Sequence, residues 1–135
     1  PPYFYESLKR EISIATRSES AISVIRYLLE PAHLEAELTT NPIYEETLIA
    51  FADLISHSFR LEDYKARLGE REFVVLIQGN EDLSLQISQR LIARWAIEGT
   101  PTVGIGYSCA TYLSGESALE VMNRLDNCEL LRATF

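Results

Sequence analysis

Residues 60–78 read RLEDYKARLGEREFVVLIQ, and the parsing of this stretch decides the fold. Two short strand-like runs, Tyr64–Leu68 and Phe73–Gln78, flank a turn that carries Gly69. That pattern predicts a β-hairpin. Upstream, Tyr44, Leu48, Phe51 and Ile55 recur at helical spacing, and Asn41-Pro42 offers a cap and a first-turn proline. The spacing predicts a helix that ends near Phe59. Further back, AISVIRYLL (21–29) is a β-branched run suited to a buried strand, preceded by the polar turn SES and a helix over residues 3–17. Pro31 ends that strand and can open a short helix over AHLEAEL (32–38). Downstream, Leu83, Ile87, Leu91 and Trp95 form the stripe of a packed helix. TVGIGYSCAT (102–111) reads as another strand and SALEVMNRLDNCELLRA (117–133) as a final helix. The order αβααββαβα predicts an α/β or α+β sandwich with a central sheet of four or five strands covered by helices.

The composition sets limits on function. A chain of 135 residues, 47% of them apolar, has the size of one domain and can bury a continuous core. A single unit over residues 1–135 is expected, and the Pro-Pro start reads as a domain excised from a longer protein. The formal net charge of −8 excludes nonspecific binding to DNA or RNA, which needs a stripe of Lys and Arg to displace counterions. A small anionic ligand, which needs only a few arginines, stays open. No apolar run is long enough for a membrane span and no leader pattern is visible. The expected location is cytoplasmic, with attachment to a larger membrane-associated assembly left open. Cys109 and Cys128 are expected to be buried free thiols.

His33 and His57 lack partners at metal-ligand spacing, so no metal is expected. Glu35, Glu37, Glu45 and Glu46 read as solvated helix faces. Gly104-Ile105-Gly106 sits in a strand pattern without the third glycine of a dinucleotide fingerprint, and predicts close packing of another element instead. Arg60 and Asp63 stand where the helix gives way to the hairpin. A guanidinium there can fork onto guanine O6 and N7 while a carboxylate accepts from N1 and N2. The same pair can equally be a surface ion pair worth about 0–1 kcal/mol. Spacing alone leaves both readings open.

Read whole, the stretch resembles the centre of a GGDEF domain, the family of diguanylate cyclases. Arg60-Leu61-Glu62-Asp63 stands at the place of the family's RxxD inhibitory site, five residues before GEREF (Gly69–Phe73), which holds the place of the signature hairpin turn. FVVLIQG, ISQRLIAR, TVGIGYS and ALEVMNRLDNCELLRA resemble the strand, helix, strand and helix that follow it. The resemblance implies a cyclase-like mixed, mainly antiparallel sheet of four to five strands flanked by helices.

The same resemblance implies that the chemistry of the family is lost. Joining two GTP molecules into cyclic di-GMP requires carboxylates that hold two divalent ions against phosphates. The acidic third position of the signature is Arg71, the first aspartate of the DxDxFK motif falls near Leu28, and the second signature glycine is Glu70. The asparagine that reads the substrate guanine falls near Ala36, whereas the second guanine-reading acid falls near Glu45, which keeps a carboxylate. The DxLTGLxNR motif is not recognisable in YESLKREIS. No cofactor and no metal is therefore expected. What the resemblance retains is the inhibitory-site set, Arg60 and Asp63 joined by Arg90 from the following helix, which in the family binds cyclic di-GMP. Arg67 matches a common family arginine, and packing of its stem along the strand is the expected role.

The leading expectation is a degenerate GGDEF domain acting as a noncatalytic receptor of cyclic di-GMP. It would pass the signal to a protein partner in a bacterial signalling or secretion complex, similar to the receptors of exopolysaccharide systems of the cellulose or Pel type. The alternative is a ligand-free interaction or dimerisation module derived from a cyclase. An active cyclase is disfavoured by Leu28 and Arg71.

Overall fold

A computed structural model describes residues 2–31, 42–98 and 103–132. The elements are α1 (Pro2–Ser18), β1 (Ile22–Pro31), α2 (Pro42–Ser58), β2 (Tyr64–Arg67), β3 (Glu72–Gln78), α3 (Glu81–Glu98), β4 (Val103–Thr111), α4 (Ala118–Asn127) and β5 (Leu131–Arg132). The strands form one five-stranded sheet in the order β2-β3-β1-β4-β5. Each described pairing is antiparallel, so the mixed sheet that was allowed for is antiparallel throughout these pairs. The expected helix over 32–38, with His33, Glu35, Ala36, Glu37 and the cap at Asn41, lies outside the described residues.

Strict alternation along the strands divides the core in two. Ile25, Tyr27 and Leu29 of β1, with Phe73, Val75 and Ile77 of β3, face the layer of α2 and α3. Val24, Val74 and Leu76 point the other way, to α1 and α4. Both faces are covered, which is why these strands read as continuous apolar runs rather than alternating ones. Phe51 organises the first layer: its ring stands edge-on to Phe73 at 5.2 Å and to Trp95 at 5.3 Å. The indole N–H of Trp95 donates to the Val103 carbonyl at 2.9 Å and ties α3 to β4. Tyr27, fully buried, shares a hydrogen bond of 2.8 Å with the Ser88 hydroxyl. Burial pushes this phenol well above its ordinary range, so it stays neutral.

The chain departs from the sequence-based reading at its C-terminal end. A capping box between Ser117 and Glu120 starts α4, but the helix stops at Asn127, with Cys128 extended at φ −71° and ψ 140°. Leu131 and Arg132 then pair with Tyr107 and Gly106 as an edge strand. The helix expected over 117–133 therefore covers only its first part. A backbone ladder on β4 outcompetes local helix preference beyond Asn127. Cys109 and Cys128 are free thiols as expected, but only Cys109 is even half-buried and Cys128 is exposed. Gly106 meets the close approach predicted for the glycine pair, since a Cβ there would stand 2.6 Å from Oε1 of Glu30.

Candidate functional site

The turn between α2 and β2 is built by its own polar groups. The backbone N–H of Arg60 donates to Oδ2 of Asp63 at 2.9 Å, and the N–H of Asp63 donates to the Arg60 carbonyl at 3.1 Å. Lys65 Nζ donates to the same carbonyl at 2.8 Å. Asp63 thus holds the main chain of Arg60, not its guanidinium. The side chain of Arg60 is 78% exposed, and its guanidinium lies 3.9 Å from the Glu62 carboxylate. The surface ion pair between Arg60 and Asp63 that spacing had left open is not the arrangement found. Arg60, Glu62, Asp63 and Tyr64 line a small cleft of about 60 Å³ together with Glu11 of α1 and the end of β3 at Gln78. That volume is far below the roughly 300–1,000 Å³ of an enclosing ligand pocket. A ligand at this turn would insert one edge and lie largely on the surface.

Arg90, the third residue of the expected set, is exposed on α3 and is not among the residues that line this cleft. It makes no hydrogen bond or ion pair among the described residues. The structure brings Arg60 and Asp63 together in one cleft, and the lining of that cleft does not include Arg90.

At the signature hairpin, β2 and β3 are closed by N–H groups of Leu68 and Gly69 donating to the Glu72 carbonyl at 2.8 and 3.4 Å. Arg67 folds over this turn: Nε donates to the Gly69 carbonyl at 2.9 Å and Nη2 to that of Glu70 at 2.6 Å. Its role is to tie down the turn, rather than only to pack its stem along the strand. A Cβ on Gly69 would meet nothing closer than 3.8 Å, and Glu70 does not adopt a positive φ, so the turn tolerates side chains at both positions.

The residues at the expected metal positions form a different set of contacts. Leu28 lies opposite Glu72 in the β1–β3 register. Glu72 is held by Arg26, Nε to Oε2 at 2.6 Å. Arg71 projects its guanidinium at the Leu29 carbonyl, 3.3 Å away. Glu30 is gripped by both arms of Arg132, at 2.9 and 2.8 Å. A leucine offers no lone pair, a guanidinium repels a cation, and both nearby carboxylates are engaged by arginines, so this donor set does not fit Mg²⁺. Among the described residues, no three His, Cys, Asp or Glu side chains are grouped to hold an ion. Glu45 is exposed on α2, where it borders a groove with Leu48, Ile49, Lys65 and Arg67. His57 donates to its own helix, Nδ1 lying 2.7 Å from the Asp53 carbonyl oxygen.

Three residues of these sites were not singled out from sequence. Arg26 stood as a lone charge in an apolar run, a signal that a cross-strand partner exists. Arg132 was hidden in the segment read as helix. Glu11 had no sequence signal, because only the packing of α1 carries it to the cleft.

This sheet and hairpin define a class. A family profile described as the diguanylate cyclase GGDEF domain matches residues 2–130, and the chain belongs to that family. No helix among the described residues is long and apolar enough to cross a membrane. Diguanylate cyclase DgcS of Shewanella oneidensis is 29% identical over 91 residues, which is 67% of this chain and 31% of that protein. The chain thus spans about a third of the length of this relative. Among solved structures, the GGDEF domain of TpbB from Pseudomonas aeruginosa superposes with a TM-score of 0.80 at 19% identity, covering 93% of this chain and 78% of that one. The GGDEF domain of DgcB from Caulobacter crescentus, in complex with c-di-GMP, superposes with a TM-score of 0.77 at 15% identity, covering 91% and 78%.

Proposed function

We propose that this chain is a degenerate GGDEF domain that binds cyclic di-GMP without turning over GTP. On this reading Arg60, Asp63 and Arg90 hold the dinucleotide, and the domain regulates a protein partner in a signalling or secretion complex, with exopolysaccharide production as the setting. The observation that carries the reading is the contrast between two neighbouring turns. At the signature, Arg71 and Leu28 stand where metal ligands are needed, and a phosphoryl transfer without metal would lack its main electrostatic stabilisation. At the RxxD turn, Asp63 preforms the backbone while the Arg60 guanidinium points to solvent, free to fork onto a guanine or a phosphate. Arg90, exposed and without an intramolecular partner among the described residues, supplies a second guanidinium. Regulation follows if the liganded form has a different affinity for the partner.

Isothermal titration with cyclic di-GMP tests this. The expected result is saturable binding by the native domain that is strongly weakened in Arg60→Ala. Absence of heat with the native domain, or equal affinity in Arg60→Ala, would overturn it. A ligand-free interaction module is the competing reading. It draws on the groove between α2 and the edge strand β2, about 300 Å³ in volume, in which Ile49 stays 62% exposed. That reading expects no nucleotide binding and partner binding indifferent to Asp63→Ala.

A further inference from the structure

We infer that Glu11 of α1 is a base-specificity residue of the RxxD cleft, an inference that rests on the receptor reading and deepens it. The cleft is formed where α1 passes the turn, with Glu11 on one wall and Arg60, Glu62 and Asp63 on the other. Helix and turn are held in this relation by the packing of Phe4, 2% exposed, against the Tyr64 ring, edge-on at 5.9 Å. Glu11 is half-buried, yet makes no hydrogen bond or ion pair among the described residues. Its neighbours on α1 are engaged: Lys9 with Glu6, and Arg10 with Ser7. A half-buried carboxylate with all its lone pairs unused faces a cleft that already contains a turn carboxylate and an exposed guanidinium.

The charge count decides which part of a cyclic dinucleotide such a cleft can take. Three carboxylates (Glu11, Glu62, Asp63) line the cleft with one arginine, and even with the Lys65 ammonium at the Arg60 carbonyl the negative charges outnumber the positive, so a phosphate entering the cleft would meet net repulsion. A donor-rich edge would instead find acceptors on both walls. Guanine carries two adjacent donors, N1–H and the N2 amino group. Adenine has an acceptor at N1, which would oppose a carboxylate. The small volume likewise suits a base edge and not a phosphodiester. The phosphates then stay outside, where the Arg60 guanidinium reaches solvent. Glu11 accepts from the guanine edge opposite Asp63, and the acidic lining that disfavours anions in general becomes the source of selectivity for guanine over adenine.

The test is titration of the native domain and Glu11→Gln with cyclic di-GMP and with cyclic di-AMP, with thermal melting to verify folding. Glu11 lies on a helix surface, and the amide is close in shape to the acid. The expected result is a loss of about tenfold in cyclic di-GMP affinity, the scale of one charge-assisted hydrogen bond. The weak binding of cyclic di-AMP should barely change, so that the preference for guanine narrows. Unchanged or tighter cyclic di-GMP binding in Glu11→Gln, with Arg60→Ala still impaired, overturns the role of Glu11 and leaves the receptor reading standing. If the native domain binds neither dinucleotide, the receptor reading and this inference fall together.

Discussion

The carboxylate of Asp63 accepts the backbone N–H of Arg60 at 2.9 Å, while the exposed guanidinium of Arg60 has its ion-pair contact with Glu62, at 3.9 Å. Two residues that look like an ion pair in sequence are a turn former and an exposed cation in the folded chain. Asp63 therefore has two possible losses when mutated, one structural and one in recognition, and they can be separated.

Asp63→Asn keeps an acceptor oxygen for the Arg60 N–H and should change stability little. Asp63→Ala removes it and should cost about 1 kcal/mol, the usual scale for loss of a side-chain cap. Urea denaturation measures both. On the receptor reading each substitution weakens cyclic di-GMP binding, the asparagine because its NH₂ cannot accept from guanine. Full affinity in Asp63→Asn would remove Asp63 from the ligand site.

Arg71→Asp restores an acid at the signature but leaves Leu28 without a lone pair, and leaves Glu72 on Arg26. One added carboxylate does not assemble a two-ion site. GTP with Mg²⁺ should release no pyrophosphate above background with either the native chain or this variant. Turnover by either one would contradict the proposed loss of catalysis.

Tyr27 and Ser88 join β1 to α3 through a buried hydrogen bond. Tyr27→Phe leaves the serine hydroxyl unpartnered, and Ser88→Ala does the same to the phenol. Each should cost about 1–2 kcal/mol in chemical denaturation. The double variant should cost less than the sum, because it leaves no orphaned polar group. Strict additivity would show that the two hydroxyls are not coupled.

Glu116 is gripped by Arg124 at the entry to α4, with Oε2 2.7 Å from Nε and Oε1 2.7 Å from Nη2. The hydrogen bonds from Arg124 hold its carboxyl below the ordinary value of 4.5, against a smaller opposing effect of burial. A folded-state value below the unfolded one means that the pair stabilises above the ordinary carboxyl range. That contribution is lost as pH falls through the lowered folded value. Arg124 is 38% exposed, and solvent screening limits the effect to about 1 kcal/mol or less. Glu116→Gln should lower stability at pH 7 and show a shallower loss on acidification to pH 3 than the native chain. Parallel acid profiles would assign no linkage to this pair.

The legible parts were those governed by near neighbours in the chain. The hairpin, α2 up to Ser58 and the stripe of α3 followed from period and turn chemistry within a few residues. The terminal segment was misread because LeuLeu at 130–131 extends a helical pattern, while the competing partner, β4, lies more than twenty residues away. Of the expected ligand set, Arg60 and Asp63 share a cleft because they share a turn. Arg90 was assigned through a resemblance, and its relation to the turn depends on how α3 lies on the sheet.

The sequence by itself determined which chemical groups stand at each position: a leucine and an arginine at the expected metal ligands, an arginine and an aspartate three apart before the hairpin. It determined the central strands β1 and β3 too, because their continuous apolar runs serve two covered faces. Only the tertiary structure decided what those groups touch. Sheet register locks Glu72 onto Arg26 and brings Arg132 to Glu30, 102 residues away. Packing of Phe4 on Tyr64 sets Glu11 across the cleft from Asp63. Side chains reach only a few ångströms, so their partners are chosen by how distant segments stack, and no local pattern in the chain records that choice.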